Sequence, residues 1–211
     1  MDKTLFGNLG LTVDDTVYEP AEDSFLLAKY ATKLRGRILE VGAGSGIVAL
    51  SAAATDMRND VLGVDISPAA VECAKANAKR NGISNCEFIE SDLFSKVPTG
   101  RKFDAILFNP PYLPTAKGER IANRVENAAY DGGKSGLSVF LRFARQVEGR
   151  LKPGGNVAVI ATSLGGGIGK TVAALEKNVG AAKIVAEESF FFEKLALVEA
   201  TKNAVYKKKR Q

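Results

Sequence analysis

Histidine occurs nowhere in the 211 residues, so imidazole is excluded as general base, proton relay or metal ligand. Cysteine is nearly absent too. Cys73 and Cys86 are the only two and form no CxxC pair, so neither a disulfide framework nor a protein zinc site is indicated, and both read as reduced structural thiols. No apolar run approaches the roughly 20 residues that cross a bilayer. Met1-Asp2-Lys3 does not lead into a signal-peptide core. The expectation is a cytoplasmic protein that meets no membrane and holds no metal. Fixed-period repeats and low-complexity linkers are also missing, which removes solenoids and tethered multidomain arrangements.

What is present suits one core. Hydrophobic residues make up 45% of the chain, enough for one substantial domain at this length. The net charge of +5 and pI near 9.1 suit an acidic or nucleic-acid-bound partner without selecting one. The closing run Lys207 to Arg210 reads as a frayed, solvated tail.

Short apolar runs alternate with longer helical stretches, the α/β signature. Strands are expected at 37–41, 60–65, 85–89, 103–108 and 156–162, each apolar enough for a parallel sheet covered on both faces. Between them, Ser67 caps a helix with Pro68 at its first position, and Asn81-Gly82 stops it. Another helix is expected from about Ser135 to Leu151, with Leu137, Phe140, Leu141, Ala144, Val147 and Leu151 on one stripe. The chain ends differently: 183–189 and 195–201 read as strands with no room for a crossover helix, so they form an antiparallel hairpin. Residues 21–34 read as a helix with Glu22 and Asp23 in its first turn. The expected layout is an amino-terminal extension and helix over 1–36, packed on a single globular unit over 37–211.

The first of these strands runs into Glu40-Val41-Gly42-Ala43-Gly44-Ser45-Gly46, followed at once by a helix. Glycines let backbone approach a ligand closely, and the free N–H groups of a helix start attract a carboxylate or phosphate. A dinucleotide GxGxxG fingerprint counted from Gly42 would need glycine where Ile47 stands, so the match is GxGxG preceded by an acid. Asp65, about 20 residues on, stands where a carboxylate accepts ribose hydroxyls. Asp92, after the third strand, is placed to accept from an adenine amino group. The bland alternatives are a tight turn and three strand-end caps. Against them, Glu40, Asp65 and Asp92 close successive parallel strands and so converge on one sheet edge. A second glycine run, Gly165 to Thr171, mimics a phosphate loop, but GxxxxGK[ST] needs glycine where Leu164 stands.

The fourth strand leads directly into Asn109-Pro110-Pro111-Tyr112. Consecutive prolines stiffen the backbone and present the Pro110 carbonyl, while the Asn109 side-chain oxygen gives a second acceptor. Two acceptors in one plane suit an NH₂ group, and Tyr112 offers a flat surface to its π system. The delocalised lone pair of such a nitrogen makes positioning the main catalytic device, and no strong base is required. A proline-rich turn without a catalytic role is the alternative.

This tetrapeptide, with Glu40 to Gly46, resembles the class I amino-methyltransferases over nearly the whole chain. The segment Val17 to Leu27 (VYEPAEDSFLL) is similar to the amino-terminal signature of the archaeal and eukaryotic HemK-like methyltransferases. The resemblance implies a Rossmann-like, seven-stranded, mostly parallel sheet with a reversed last strand and helices on both faces. It implies S-adenosylmethionine as methyl donor, with S-adenosylhomocysteine as product. The acceptor it implies is the glutamine amide in the Gly-Gly-Gln motif of a class 1 translation termination factor. By resemblance, Tyr18, Pro20, Glu22, Asp23 and Ser24 lie over the donor, which also meets Glu40, Gly42, Gly44, Gly46, Asp65, Ile66, Asp92, Leu93 and Asn109. Asn109, Pro110, Pro111 and Tyr112 then hold the glutamine. A small zinc-binding activator subunit is a further implied partner. Bacterial relatives carry a longer helical amino-terminal domain, which the 36 residues here do not supply, so the stretch 113–133 with Lys117, Arg120 and Arg124 is the candidate recognition element. Adenine-N6 methylation of DNA or RNA uses the same planar NH₂ geometry and stays open, as do lysine methylation and non-catalytic nucleotide binding.

Overall fold

The computed structural model describes residues 3–112, 137–164, 167–191 and 193–204. The candidate recognition stretch 113–133 and the basic tail lie outside them. Strands β3 (Arg37–Val41), β4 (Asp60–Asp65), β5 (Cys86–Glu90), β6 (Phe103–Phe108), β7 (Leu151–Thr162), β8 (Ala182–Ser189) and β9 (Lys194–Thr201) form one sheet in the order β5-β4-β3-β6-β7-β9-β8. The five from β3 to β7 pair in parallel, and β9 enters antiparallel between β7 and β8. Among the described residues, five α-helices pack with the sheet: α1 (Glu22–Ala31), which precedes β3, and α2 (Ile47–Thr55), α3 (Pro68–Arg80), α4 (Ser138–Val147) and α5 (Ile168–Asn178), which lie between its strands. None of the described helices is long and apolar enough to cross a membrane.

The two-residue pleat splits the core in two. Ile38, Leu107, Ala158 and Ile160 point to the layer of α1, α2 and α3, while their neighbours Leu39, Ile106, Val157 and Val159 point to the layer of α4 and α5. Residues adjacent in sequence are thus buried on opposite faces, as a sheet covered on both sides demands. In the second layer Phe143 anchors α4, its ring 4.6 Å from Phe108 and 5.6 Å from Phe94. The expected apolar stripe of α4 is narrower than read. Phe140, Phe143, Ala144 and Val147 are buried at i, i+3, i+4 and i+7, whereas Leu141, one residue off that row, is 40% exposed. The helix stops at Val147 and Leu151 begins β7, which starts earlier than expected.

The amino-terminal residues hold a feature that periodicity did not reveal. Strands β1 (Lys3–Phe6) and β2 (Leu9–Thr12) form an antiparallel hairpin around Gly7-Asn8, with Gly7 at φ +58°. A Gly-Asn pair between apolar residues is a recognised two-residue turn, so the signal was there but short. The hairpin is pinned at both ends of its packing. The N–H groups of Gly10 and Thr12 each donate at 3.0 Å to the amide oxygens of Asn81 and Asn77 on α3, and Phe6 stacks on Phe25 of α1 at 5.6 Å.

Candidate active site

The loop after β3 turns on three left-handed glycines, Gly42, Gly44 and Gly46, at φ +71°, +52° and +84°. Residues with a β-carbon pay about 1–2 kcal/mol in that region, which is why the pattern is glycine at alternate positions. A β-carbon on Gly44 would meet nothing within 4 Å, so this part of the loop lies bare to whatever approaches. One on Gly46 would crowd Ala74 and Phe88 instead, so Gly46 serves the helix junction. The loop is fastened from behind: the N–H groups of Gly42 and Ala43 donate to the Val64 carbonyl at 2.8 and 3.0 Å, and Gly44 N–H donates to Asp65 Oδ2 at 2.9 Å.

The three acids expected to converge on a ligand divide their work. Asp65 stands at the edge, its other oxygen accepting from Ser67 N–H at 2.9 Å, with Ile66 beside it 54% exposed. Glu40 is 3% exposed and turns inward, its Oε2 accepting the Ala49 N–H of α2 at 2.8 Å, so it clamps the helix beneath the loop. Asp92 is engaged at the surface by Arg142, 2.6 Å away. The following Leu93 is buried with φ +49°, the one described non-glycine residue in the left-handed region. Burial pushes the carboxyls of Glu40 and Asp65 above the usual range, against the opposing pull of their backbone N–H donors.

At the end of β6, beside this loop, lies the Asn-Pro-Pro-Tyr corner. The nearest atoms to a β-carbon built on Gly42 belong to the Phe108 ring and the Asn109 carbonyl, at 3.6 and 3.8 Å, so loop and corner are neighbours. Asn109 Oδ1 is buried and finds no hydrogen-bond partner among the described residues. An unsatisfied buried acceptor costs about 1–3 kcal/mol, a cost that an incoming N–H relieves. Tyr112 donates its hydroxyl to Asp23 Oδ2 at 3.0 Å, and Tyr18 donates to the same carboxylate at 3.2 Å. Pro110, Tyr112, Phe140, Thr162 and Leu164 wall a small cleft beside the corner.

Residues 21–192 match the model of the methyltransferase small domain. A protein of Methanocaldococcus jannaschii assigned as a protein N5-glutamine methyltransferase is 46% identical over 157 residues, covering 74% of this chain and 77% of that one. The chain belongs to the small-domain methyltransferases, in their HemK-like branch. The mouse methyltransferase HEMK2 is 36% identical over 159 residues, which cover 72% of this chain and 74% of the mouse protein. Among solved structures, the Thermus thermophilus 16S rRNA N2 G1207 methyltransferase, in complex with AdoMet and guanosine, superimposes with a TM-score of 0.68 at 20% identity. It covers 96% of this chain and 50% of its own. That likeness speaks to the fold.

Membership of a methyltransferase family implies S-adenosylmethionine use, and the residues of this HemK-like chain fit the group. The bare glycine turn, the Asp65 carboxylate and the open Ile66 side chain line one rim, and the orphaned Asn109 oxygen lies at the neighbouring strand end. Of the residues expected over the donor, Pro20, Asp23 and Ser24 are buried, Tyr18 is half-buried, and Glu22 is exposed on the first turn of α1. Two features were not read from the sequence. One is the meeting of Tyr18 and Tyr112 on Asp23. The other is Glu193, which accepts from Thr162 Oγ1 at 2.5 Å at the carboxyl end of β7. The reversed direction of β9 was the available signal for Glu193, because an antiparallel strand beside β7 must begin at that edge.

Proposed function

We propose that this chain transfers a methyl group from S-adenosylmethionine to the side-chain amide nitrogen of the Gly-Gly-Gln glutamine in a class 1 translation termination factor. The observation that carries the reading is the unpartnered, buried Oδ1 of Asn109, next to a stiff Pro110-Pro111 backbone at the strand end beside the glycine loop. A primary amide has two in-plane N–H groups. Asn109 Oδ1 accepts one, the Pro110 carbonyl accepts the other, and the Tyr112 ring covers the amide face.

Gly42 and Gly44 admit the donor, Asp65 accepts from its ribose, and Ile66, Asp92 and Leu93 line the base. The donor supplies an electrophilic methyl group on a sulfonium. The chain's own residues hold the amide in line with it and build negative character on the nitrogen through the two accepted hydrogen bonds. Burial and the neighbouring Asp23 charge hold the Tyr112 hydroxyl far above its ordinary range, so it stays a neutral donor and no base is drawn from it. The 46% identity to an archaeal protein with a glutamine methyltransferase name favours glutamine over adenine or lysine. A small zinc-binding subunit is proposed as an activating partner, and the cytoplasm as the place of work.

The test is mass spectrometry of the organism's own termination factor after incubation with S-adenosylmethionine and either the native chain or Asn109→Ala. One methyl group on the glutamine with the native chain, and none with the variant, is expected. Equal modification by both, or methylation of added DNA or RNA alone, overturns the reading. Recovery of the native protein from its own cells with no small zinc protein attached overturns the activator.

A further inference from the structure

Two tyrosines reach one carboxylate from separate segments of the chain. Tyr18 comes from the segment that precedes α1, and Tyr112 from the corner after β6, 89 residues away from Asp23. Asp23 is 3% exposed, and both hydrogen bonds to it are part-buried. Its Oδ1 also takes the N–H of Ser24 at 2.6 Å and the Ser24 hydroxyl at 3.2 Å. Every partner is a donor, which matches an ionised carboxylate in the first turn of α1, where the positive end of the helix dipole favours it. The family resemblance puts Asp23 over the donor, yet its oxygens are taken up by the two phenols and Ser24.

We infer that Asp23 is a positioning residue of the acceptor site: it fixes the Tyr112 ring against the substrate amide and ties that corner to the segment around Tyr18. The inference rests on the amide-methylation reading above. A tyrosine side chain turns about two torsions, and hydrogen-bonding its hydroxyl to a buried charge removes that freedom at the far end of the ring. Where catalysis is mostly alignment, a displacement of about 1 Å costs on the order of 100-fold. Asp23 therefore acts through Tyr112 and needs no contact with either reactant.

The experiment is a double-mutant cycle of Asp23→Asn and Tyr112→Phe, with methyl transfer to the termination factor at saturating donor and binding of S-adenosylhomocysteine measured in parallel. Asp23→Asn keeps the shape but removes the charge. Its kcat is expected to fall roughly 10- to 100-fold while product-analogue affinity stays within about threefold. In the Tyr112→Phe background the same change is expected to cost less than about twofold more. Loss of donor affinity with full kcat recovered at saturating donor overturns the inference, as do effects that multiply. Should Asp23→Asn fail to fold, Tyr18→Phe and Tyr112→Phe dismantle the clasp from its other ends, and a Tyr112→Phe kcat equal to native overturns it. A native chain inactive on the factor rejects the amide reading instead. The clasp is then judged by thermal melting, with the losses of Asp23→Asn and Tyr112→Phe expected to be less than additive and additive losses counting against it.

Discussion

Substituting Gly63 with alanine tests whether the core beneath the glycine loop is as tight as described. Gly63 lies mid-strand in β4, paired across the sheet with Glu40 on one side and Phe88 on the other. A β-carbon there would come within 2.4 Å of two Phe88 ring carbons and 3.2 Å of the Ala43 β-carbon. The ring has little room to retreat, since Phe88 is 3% exposed and its tip stands 3.1 Å from where a β-carbon on Gly46 would be. Overpacking of this kind costs about 1–3 kcal/mol. In a chain of this size each kcal/mol lowers the midpoint by roughly 2–4 °C, so Gly63→Ala is expected to melt about 2–12 °C lower in a calorimeter. Phe88→Leu alone opens a small cavity and also destabilises. Together the two changes relieve one another, and the double variant is expected to be more stable than Gly63→Ala alone, a coupling of about 1 kcal/mol. A Gly63→Ala midpoint within about 1 °C of native, or a double variant whose losses simply add, refutes the reasoning.

Two further outcomes follow from the acids. Asp65→Ala removes the acceptor for Gly44 and the proposed ribose contact, so donor affinity measured by calorimetry is expected to fall roughly 10- to 100-fold with KM for the factor little changed; equal losses in both count against the division of the site. Glu40 has its folded-state pKa raised by burial, so its contribution favours the folded state below the unfolded value near 4.3 and is lost as pH rises toward the raised value. Glu40→Gln keeps an oxygen for the Ala49 N–H and removes the charge. Its melting midpoint is expected to gain on the native one as pH goes from about 4 to 7, and a constant difference across that range excludes the effect.

The strands of the sheet, the capped start of α3 at Ser67 and the terminal hairpin were all legible, because each rests on local patterning: apolar runs, a Ser-Pro pair, and too few residues for a crossover. The gathering of Glu40, Asp65 and Asn109 at one sheet edge was legible, because parallel strands deliver their carboxyl ends there whatever the side chains then do. What the chain order does not disclose is orientation. Glu40 and Asp65 occupy similar places at strand ends, yet one turns under α2 and the other faces the rim, a choice made by the packing of Ile47 to Ala53 above Glu40. The pairings of Asp92 with Arg142 and of Asp23 with Tyr112 span 50 and 89 residues, and no local pattern encodes them. The β1–β2 hairpin was missed because four-residue strands carry too little alternation to stand out beside a helix.

That hairpin packs as part of the same unit as the sheet. Asn77 is wholly shielded, and its amide bridges Thr12 on one side to the Ser45 carbonyl within the glycine turn on the other. Trimming the chain back to the first parallel strand strips this amide of both its hydrogen bonds to Thr12 and removes Leu26, Leu27, Ala28 and Ala31 of α1 from the core, although no residue of the seven-stranded sheet is touched. Shortened versions that begin near Arg37 are thus ill-suited to crystallography or screening: the glycine turn would be loosened from the rear.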